Sequence, residues 1–141
     1  MAITSAVCTS FKVELLKGVH NFSASGGNTF KIALYTSSAN LGAATPAYST
    51  ANEISGTGYS AGGVTLTSTT VGTSGTTAFF DADDPTWTSA SFTARGALIY
   101  NSTNSDKAIA VLNFGGDFTV SSGTFRIVFP AAGGSAIVRI D

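Results

Sequence analysis

From Thr29 onward, apolar residues recur at every second position between clusters of Gly, Asn, Asp and Ser. That period of two constrains the fold more than any other feature, because only a pleated strand sends alternate side chains to opposite faces. In "TFKIALYTS", Phe30, Ile32 and Leu34 point one way and Lys31, Ala33 and Tyr35 the other. "TFRIVFP" repeats the pattern with Phe125, Ile127 and Phe129, as does the C-terminal stretch with Ala136, Val138 and Ile140. Each of these strands is expected to present one face to a core.

Two central segments differ. Ser91 to Asn101 and Lys107 to Gly116 carry apolar residues on both faces and are joined by the short polar link "STNSD", so they read as the most deeply buried strands, connected by a hairpin turn. Further strands are expected at Val64 to Thr70 and Thr76 to Asp81, giving roughly seven or eight in all. Only Ser10 to Lys17 reads as helix: Phe11 and Leu15 share a face, and Gly18 stands where a left-handed cap would end it. Ser37 to Gly63 lacks a convincing period and reads as an extended surface loop. The expected architecture is mainly β, a single-domain, barrel-like antiparallel β-sandwich over residues 29–141. Residues 1–28 form an N-terminal segment of the same domain, with the short helix.

Charge narrows the function. A chain of 141 residues is one domain's worth and buries about two-thirds of its unfolded surface. Charged residues are 11% of it, and the formal net charge is -1 with no cluster of Lys or Arg. Such a chain lacks the footprint that phosphate backbones demand, so nucleic acid is not an expected partner. No apolar run reaches the length of a membrane helix and no secretory leader pattern opens the chain, which gives the expectation of a soluble product made in the cytoplasm without a membrane partner. Cys8 is the only cysteine, so stability has to come from packing or assembly rather than from a disulfide framework.

The chemical candidates are few. "GTGYSAGG" contains G-x-S-x-G around Ser60, the pattern of a hydrolase nucleophile elbow. An elbow needs a helix to follow it and an acid and a histidine later in the chain; here the β-branched "VTLTSTTV" follows, and the sole histidine, His20, comes earlier. The glycines instead read as positive-φ turn residues, with Tyr59 as an apolar anchor. The same loop lacks the lysine of a phosphate cradle. Asp81, Asp83 and Asp84 in "DADDPTW" are spaced to hold a calcium ion or, more simply, to cap the turn at Pro85. His20 is expected to satisfy last-turn carbonyls or face solvent, Cys8 to be a small buried filler, and Trp87 to plug a core or an interface. Arg95, between apolar neighbours, is expected to need an acidic partner among Asp81 to Asp84 or on a neighbouring subunit. These readings assign no catalytic residue, no metal site and no cofactor, and the chain is not expected to be an enzyme.

The blocks "NEISGTGYSAGGVTL" and "DADDPTWTSASFTARGALIYN" resemble a family of small virion proteins of tailed bacteriophages. In that family N-E-[VI]-x-G-x-G-Y-x-x-G-G-x-x-L precedes D-[DN]-x-x-W-x-x-x-x-[FIL]-x-A-R-x-A-[VIL]-I-Y, followed by strands with a [DN]-F-G turn. The first block falls on Asn52, Glu53, Gly56, Gly58, Tyr59, Gly62, Gly63 and Leu66, the second on Asp84, Trp87, Ala94, Arg95, Ala97, Ile99 and Tyr100; Gly96 stands where the family usually carries an aromatic. The resemblance spans roughly residues 29–129 and implies a structural protein of the virion. Its most direct form is a capsid decoration or cement protein on the head surface, with the major capsid protein and copies of itself, as dimer or trimer, for partners. A tail-associated or fibre-adaptor protein is the alternative, and a carbohydrate-binding module on Tyr35, Tyr48 or Trp87 is another. Asn52, Glu53, Gly58, Tyr59, Gly62, Gly63, Trp87 and Arg95 are the expected interface residues.

Overall fold

The computed structural model describes residues 2–141. It is mainly β, with two antiparallel sheets and one short helix. The elements are β1 (Ala6–Val7), α1 (Thr9–Leu16), β2 (Phe30–Tyr35), β3 (Val64–Thr65), β4 (Thr70–Ser74), β5 (Thr77–Asp81), β6 (Thr86–Asn101), β7 (Lys107–Arg126) and β8 (Val138–Ile140). The larger sheet has the order β1-β7-β6-β2-β3, the smaller β4-β5-β8.

The strands with apolar residues on both faces are the most buried: Ala97, Leu98, Ile99, Ala108 and Ile109 are fully inaccessible. They lie side by side in the β6–β7 hairpin, whose turn is "STNSD", and β2 covers β6 in register from Phe30 opposite Asn101 to Tyr35 opposite Gly96. The helix forms as the spacing predicts. Phe11 is buried, and Gly18 at φ 72° closes a Schellman cap in which the Gly18 and Val19 amides bond to the carbonyls of Leu15 and Glu14. Phe22 then stacks on Phe30 and meets Phe80, tying the segment after the helix to both sheets.

β2, expected to present one face to a core, is buried on both, with Ala33 and Tyr35 buried as deeply as Ile32 and Leu34. Four further expectations need correction. First, Val64 to Thr70 is not one strand: Leu66 turns inward, its amide bonds to the Phe30 carbonyl, and Ser68 at φ 51° breaks the run before β4 begins in the other sheet. Second, the strand expected around Phe125 is the far end of β7. Gly115 at φ 82° and Ser122 at φ 47° absorb extra residues as bulges, so the ladder with β6 continues past Gly116 to Arg126. The alternation of Phe125, Ile127 and Phe129 with exposed neighbours survives this merger. Third, Ile140 is 54% exposed, because β8 has no partner beyond it in the smaller sheet. Fourth, the segment from Ser37 to Gly63 is not a free surface loop. It is bridged to the sheet at Tyr35–Glu53, Ala47–Lys107 and Thr57–Ser91, and Ile54 is buried.

That last segment reaches β3 by passing directly over β2. At Gly63, φ is 77° and a Cβ would stand 1.7 Å from the Ile32 carbonyl oxygen. No side chain fits such a gap. Gly63→Ala is therefore expected to destabilise the fold by about 3 kcal/mol or more, from strain and overpacking together. Gly116→Ala, where a Cβ meets nothing within 4 Å, should be close to neutral. Chemical denaturation of the two variants checks this, and equal stabilities would contradict it.

Candidate functional site

The residues of "NEISGTGYSAGG" converge on one carboxylate. Glu53 Oε1 accepts a hydrogen bond from the Tyr48 hydroxyl at 2.6 Å, and Oε2 accepts from the Tyr59 hydroxyl at 2.6 Å and the Gly62 amide at 2.8 Å. Tyr59 is in turn bonded by the Leu34 amide at 3.0 Å, so the cluster is anchored to β2. Tyr100, on β6, donates to the Gly62 carbonyl at 2.6 Å and stacks on Tyr48 with ring centres 4.7 Å apart. Tyr35 donates to the Ser49 carbonyl at 2.7 Å. All four tyrosines of the chain thus surround Glu53 or the segment carrying it.

Burial is the first cause of a shared electrostatic consequence: it disfavours the phenolate and pushes all four tyrosines above their ordinary range, Tyr100 to about 12. For Tyr48 and Tyr59 the hydrogen bond to Glu53 adds to the effect, since a phenol donating to a carboxylate resists losing its proton. The arrangement is a set of neutral donors fixed on one acceptor. It clamps a loop to a sheet.

The other expected residues lie as follows. Trp87 is buried, packed near Tyr59, Phe92 and Phe125, so it belongs to the core beneath the loop. Asn52, at φ 62°, and Gly58 are exposed on the loop, whereas Gly62 is buried. Arg95 lies apart from this cluster. Its guanidinium is 37% exposed rather than buried, and its partner is none of Asp81 to Asp84 but Asp117, 3.2 Å away across the β6–β7 hairpin. The space beside Gly96 is filled from elsewhere in the chain: a Cβ there would lie 2.9 Å from Ile3.

Ser60 sits in the loop that leads into β3, a strand and not a helix. His20 neither caps the helix carbonyls nor faces solvent. It is buried, with Nε2 at 2.9 Å from Glu14 Oε1 and Nδ1 at 3.0 Å from Asn101 Nδ2. Asn101 Oδ1 accepts the Thr103 and Asn104 amides, so its Nδ2 must donate to His20 and Asn28. The ring is thereby fixed with its proton on Nε2. This node joins the segment after α1 to the hairpin turn.

Cys8 is fully buried ahead of α1, and burial, reinforced by Glu14, pushes its thiol up to about 11. The three aspartates do not converge as a cation cage; among the described residues no three His, Cys, Asp or Glu side chains do. Asp84 is held below the usual carboxylate range by the Arg126 guanidinium at 2.9 Å and the Phe129 amide at 2.8 Å, so its carboxylate ties the start of β6 to the end of β7 instead of capping the turn at Pro85. An open groove of about 630 Å³ lies between the N-terminal segment and residues 40–52, and its described lining carries no charged side chain.

Sequence reasoning took Glu53 and Tyr59 as surface contacts and Tyr48 as a glycan platform. It missed that they bond to one another and that Tyr100 joins them. The available signal was a lone acid six residues ahead of a tyrosine in a loop otherwise short of charge. No family model, no curated protein and no solved structure matches the chain.

Because the folded-state values lie above the unfolded one, the stability these phenols contribute is complete below about pH 10 and is lost as the pH rises through the raised values. An alkaline titration followed in the near ultraviolet should show no tyrosine ionising near pH 10, with phenolate appearing only as the fold is lost. A reversible step near pH 10 in the folded chain would contradict the clamp.

Proposed function

We propose that the chain is a structural protein of a bacteriophage virion, a capsid decoration subunit that binds the major capsid protein as an oligomer and stiffens the shell. The observation that carries this reading is the loop of residues 52–63. It holds most of the first block resembling the phage family, and it is immobilised on the sheet by Glu53 while Asn52 and Gly58 stay exposed. A loop fixed before binding loses little conformational freedom on docking. Its surroundings are poor in charge, as suits contact with a larger neutral surface. Many equivalent sites on a shell would let a patch of about 1,600 Å² per contact suffice, because linked contacts multiply through effective concentration.

Other readings have less support. For a hydrolase, Ser60 leads into a strand, and both ring nitrogens of His20 are already engaged. For a glycan module, Tyr35 and Trp87 are buried and present no stacking face.

The test is where the protein sits on the particle and what its loss does. Imaging of purified particles should find it over the shell in proportion to the capsid lattice, and particles lacking it should be inactivated at lower temperature. Density confined to the tail would favour the tail-associated alternative, and absence from particles would overturn the reading.

A further inference from the structure

β7 outruns its neighbour. β1 pairs with it only at Ala110 and Val111, and among the described residues no strand lies on its outer edge from Phe114 to Arg126. Such an edge is a row of unpaired backbone donors and acceptors, a template for another strand. Neither proline nor lysine blunts it, and its only charges are Asp117 and Arg126.

The sequence along this edge is matched to itself. Its centre is the bulge at Ser121 and Ser122, opposite Ser91 of β6. Outward from that bulge the residues are Val120, Thr119, Phe118 and Asp117 in one direction and Gly123, Thr124, Phe125 and Arg126 in the other. The bulge restores parity between the two arms. Phe118, Val120, Gly123 and Phe125 lie opposite the buried Ala94, Phe92, Ala90 and Trp87, so all face inward. Thr119, opposite Thr93, faces outward.

We propose that two copies of this chain pair β7 with β7 as antiparallel strands about a two-fold axis through the Ser121–Ser122 bulge. In that register Phe118 meets Phe125 of the second copy, Thr119 meets Thr124, and Asp117 meets Arg126. Phe118, 52% exposed in the single chain, itself lines a cleft of about 250 Å³ on this edge with Phe114, Phe125, Arg126, Ile127 and Val128, and the second copy's Phe118 would cover it. Aromatic pairs directly across strands are favourable, and a two-fold axis makes each contact occur twice.

The charges select this register. Within one chain Asp117 pairs with Arg95 and Arg126 with Asp84. Placing these pairs end to end gives a row alternating in sign: Asp84, Arg126, then Asp117 and Arg95 of the other copy. Exposed pairs of this kind are worth little individually. Their role is to fix alignment, because a slip of one residue sets inward against outward faces, and a slip of two separates Asp117 from Arg126, leaving one of them opposite a threonine and the other opposite Gly115 or Val128, and misaligns the bulges. Affinity comes from the backbone ladder and the phenylalanines. The pairing gives the oligomer of the proposed function its symmetry, yet it does not require a capsid.

Thr119 and Thr124 provide the test, since they are far apart within a chain but opposite each other across the axis. Sedimentation velocity over a concentration series should show the unmodified chain as a dimer. Thr119→Glu with Thr124→Glu puts like charges across the axis twice and should weaken the dimer roughly ten-fold or more; Thr119→Glu with Thr124→Lys puts opposite charges there and should keep it. Both variants lose the same hydroxyl contact to Thr93, so a general loss of stability would affect them equally. An unmodified chain that stays monomeric, or two variants that dissociate alike, overturns the pairing. Shell binding by the same variants is scored separately, so a dimer without shell binding defeats only the decoration reading, and a shell-binding monomer defeats only the pairing.

Discussion

One partly buried carboxylate governs the arrangement of this molecule. Glu53 accepts from two phenols and a backbone amide, and those three donors come from before and after it in a loop that backbone bridges and the buried Ile54 also hold to the sheet. Hydrogen bonds to a charged acceptor are each stronger than neutral ones, and a network that is fully satisfied becomes rigid. With Glu53 in place, Gly63 can press its backbone against Ile32, Tyr59 can bond to β2, and Trp87 is roofed over. Without it, several polar groups would lose their common partner at once.

The same economy recurs at the hairpin turn. His20, Asn101 and Asn28 tie the chain after α1 to the β6–β7 turn, with the side-chain oxygens of Asn101 and Asn28 each accepting more than one donor. A chain with so few ions satisfies its buried polar atoms mainly with amides, hydroxyls and an imidazole. What remains at the surface is hydroxylated and nearly neutral, and the one extended edge it offers is the far half of β7. A rigid loop on one strand pair and an unpaired edge on another are the features expected of a subunit that works by being held in an array.

Much of this was legible in the residues. Period-two alternation located β2 and β5, though not the burial of both faces of β2; apolar residues on both faces located the buried halves of β6 and β7; and the alternation around Phe125 was right although its strand was assigned as a separate one. Bulges explain that error: Gly115 and Ser122 interrupt the period without ending the ladder, and a reading that counts parity must stop there. The glycine loop was rightly read as turns of positive φ, but its lack of period gave no sign of the side-chain network that orders it. Periodicity reports burial on a strand and is silent about hydrogen bonds between residues many positions apart. For the same reason Arg95 was assigned the wrong partner: Asp117 becomes its neighbour only once the hairpin register, with its bulge, is known.

The central claim is that Glu53 holds the loop as firmly as the sheet beneath it, and the Gly62 amide reports on that bond directly. Native-state hydrogen exchange should find Gly62 protected to a degree comparable with amides of the buried half of β6, and Glu53→Ala should abolish that protection while β6 stays protected. A Gly62 amide that exchanges in the intact protein as fast as an exposed turn would contradict the account.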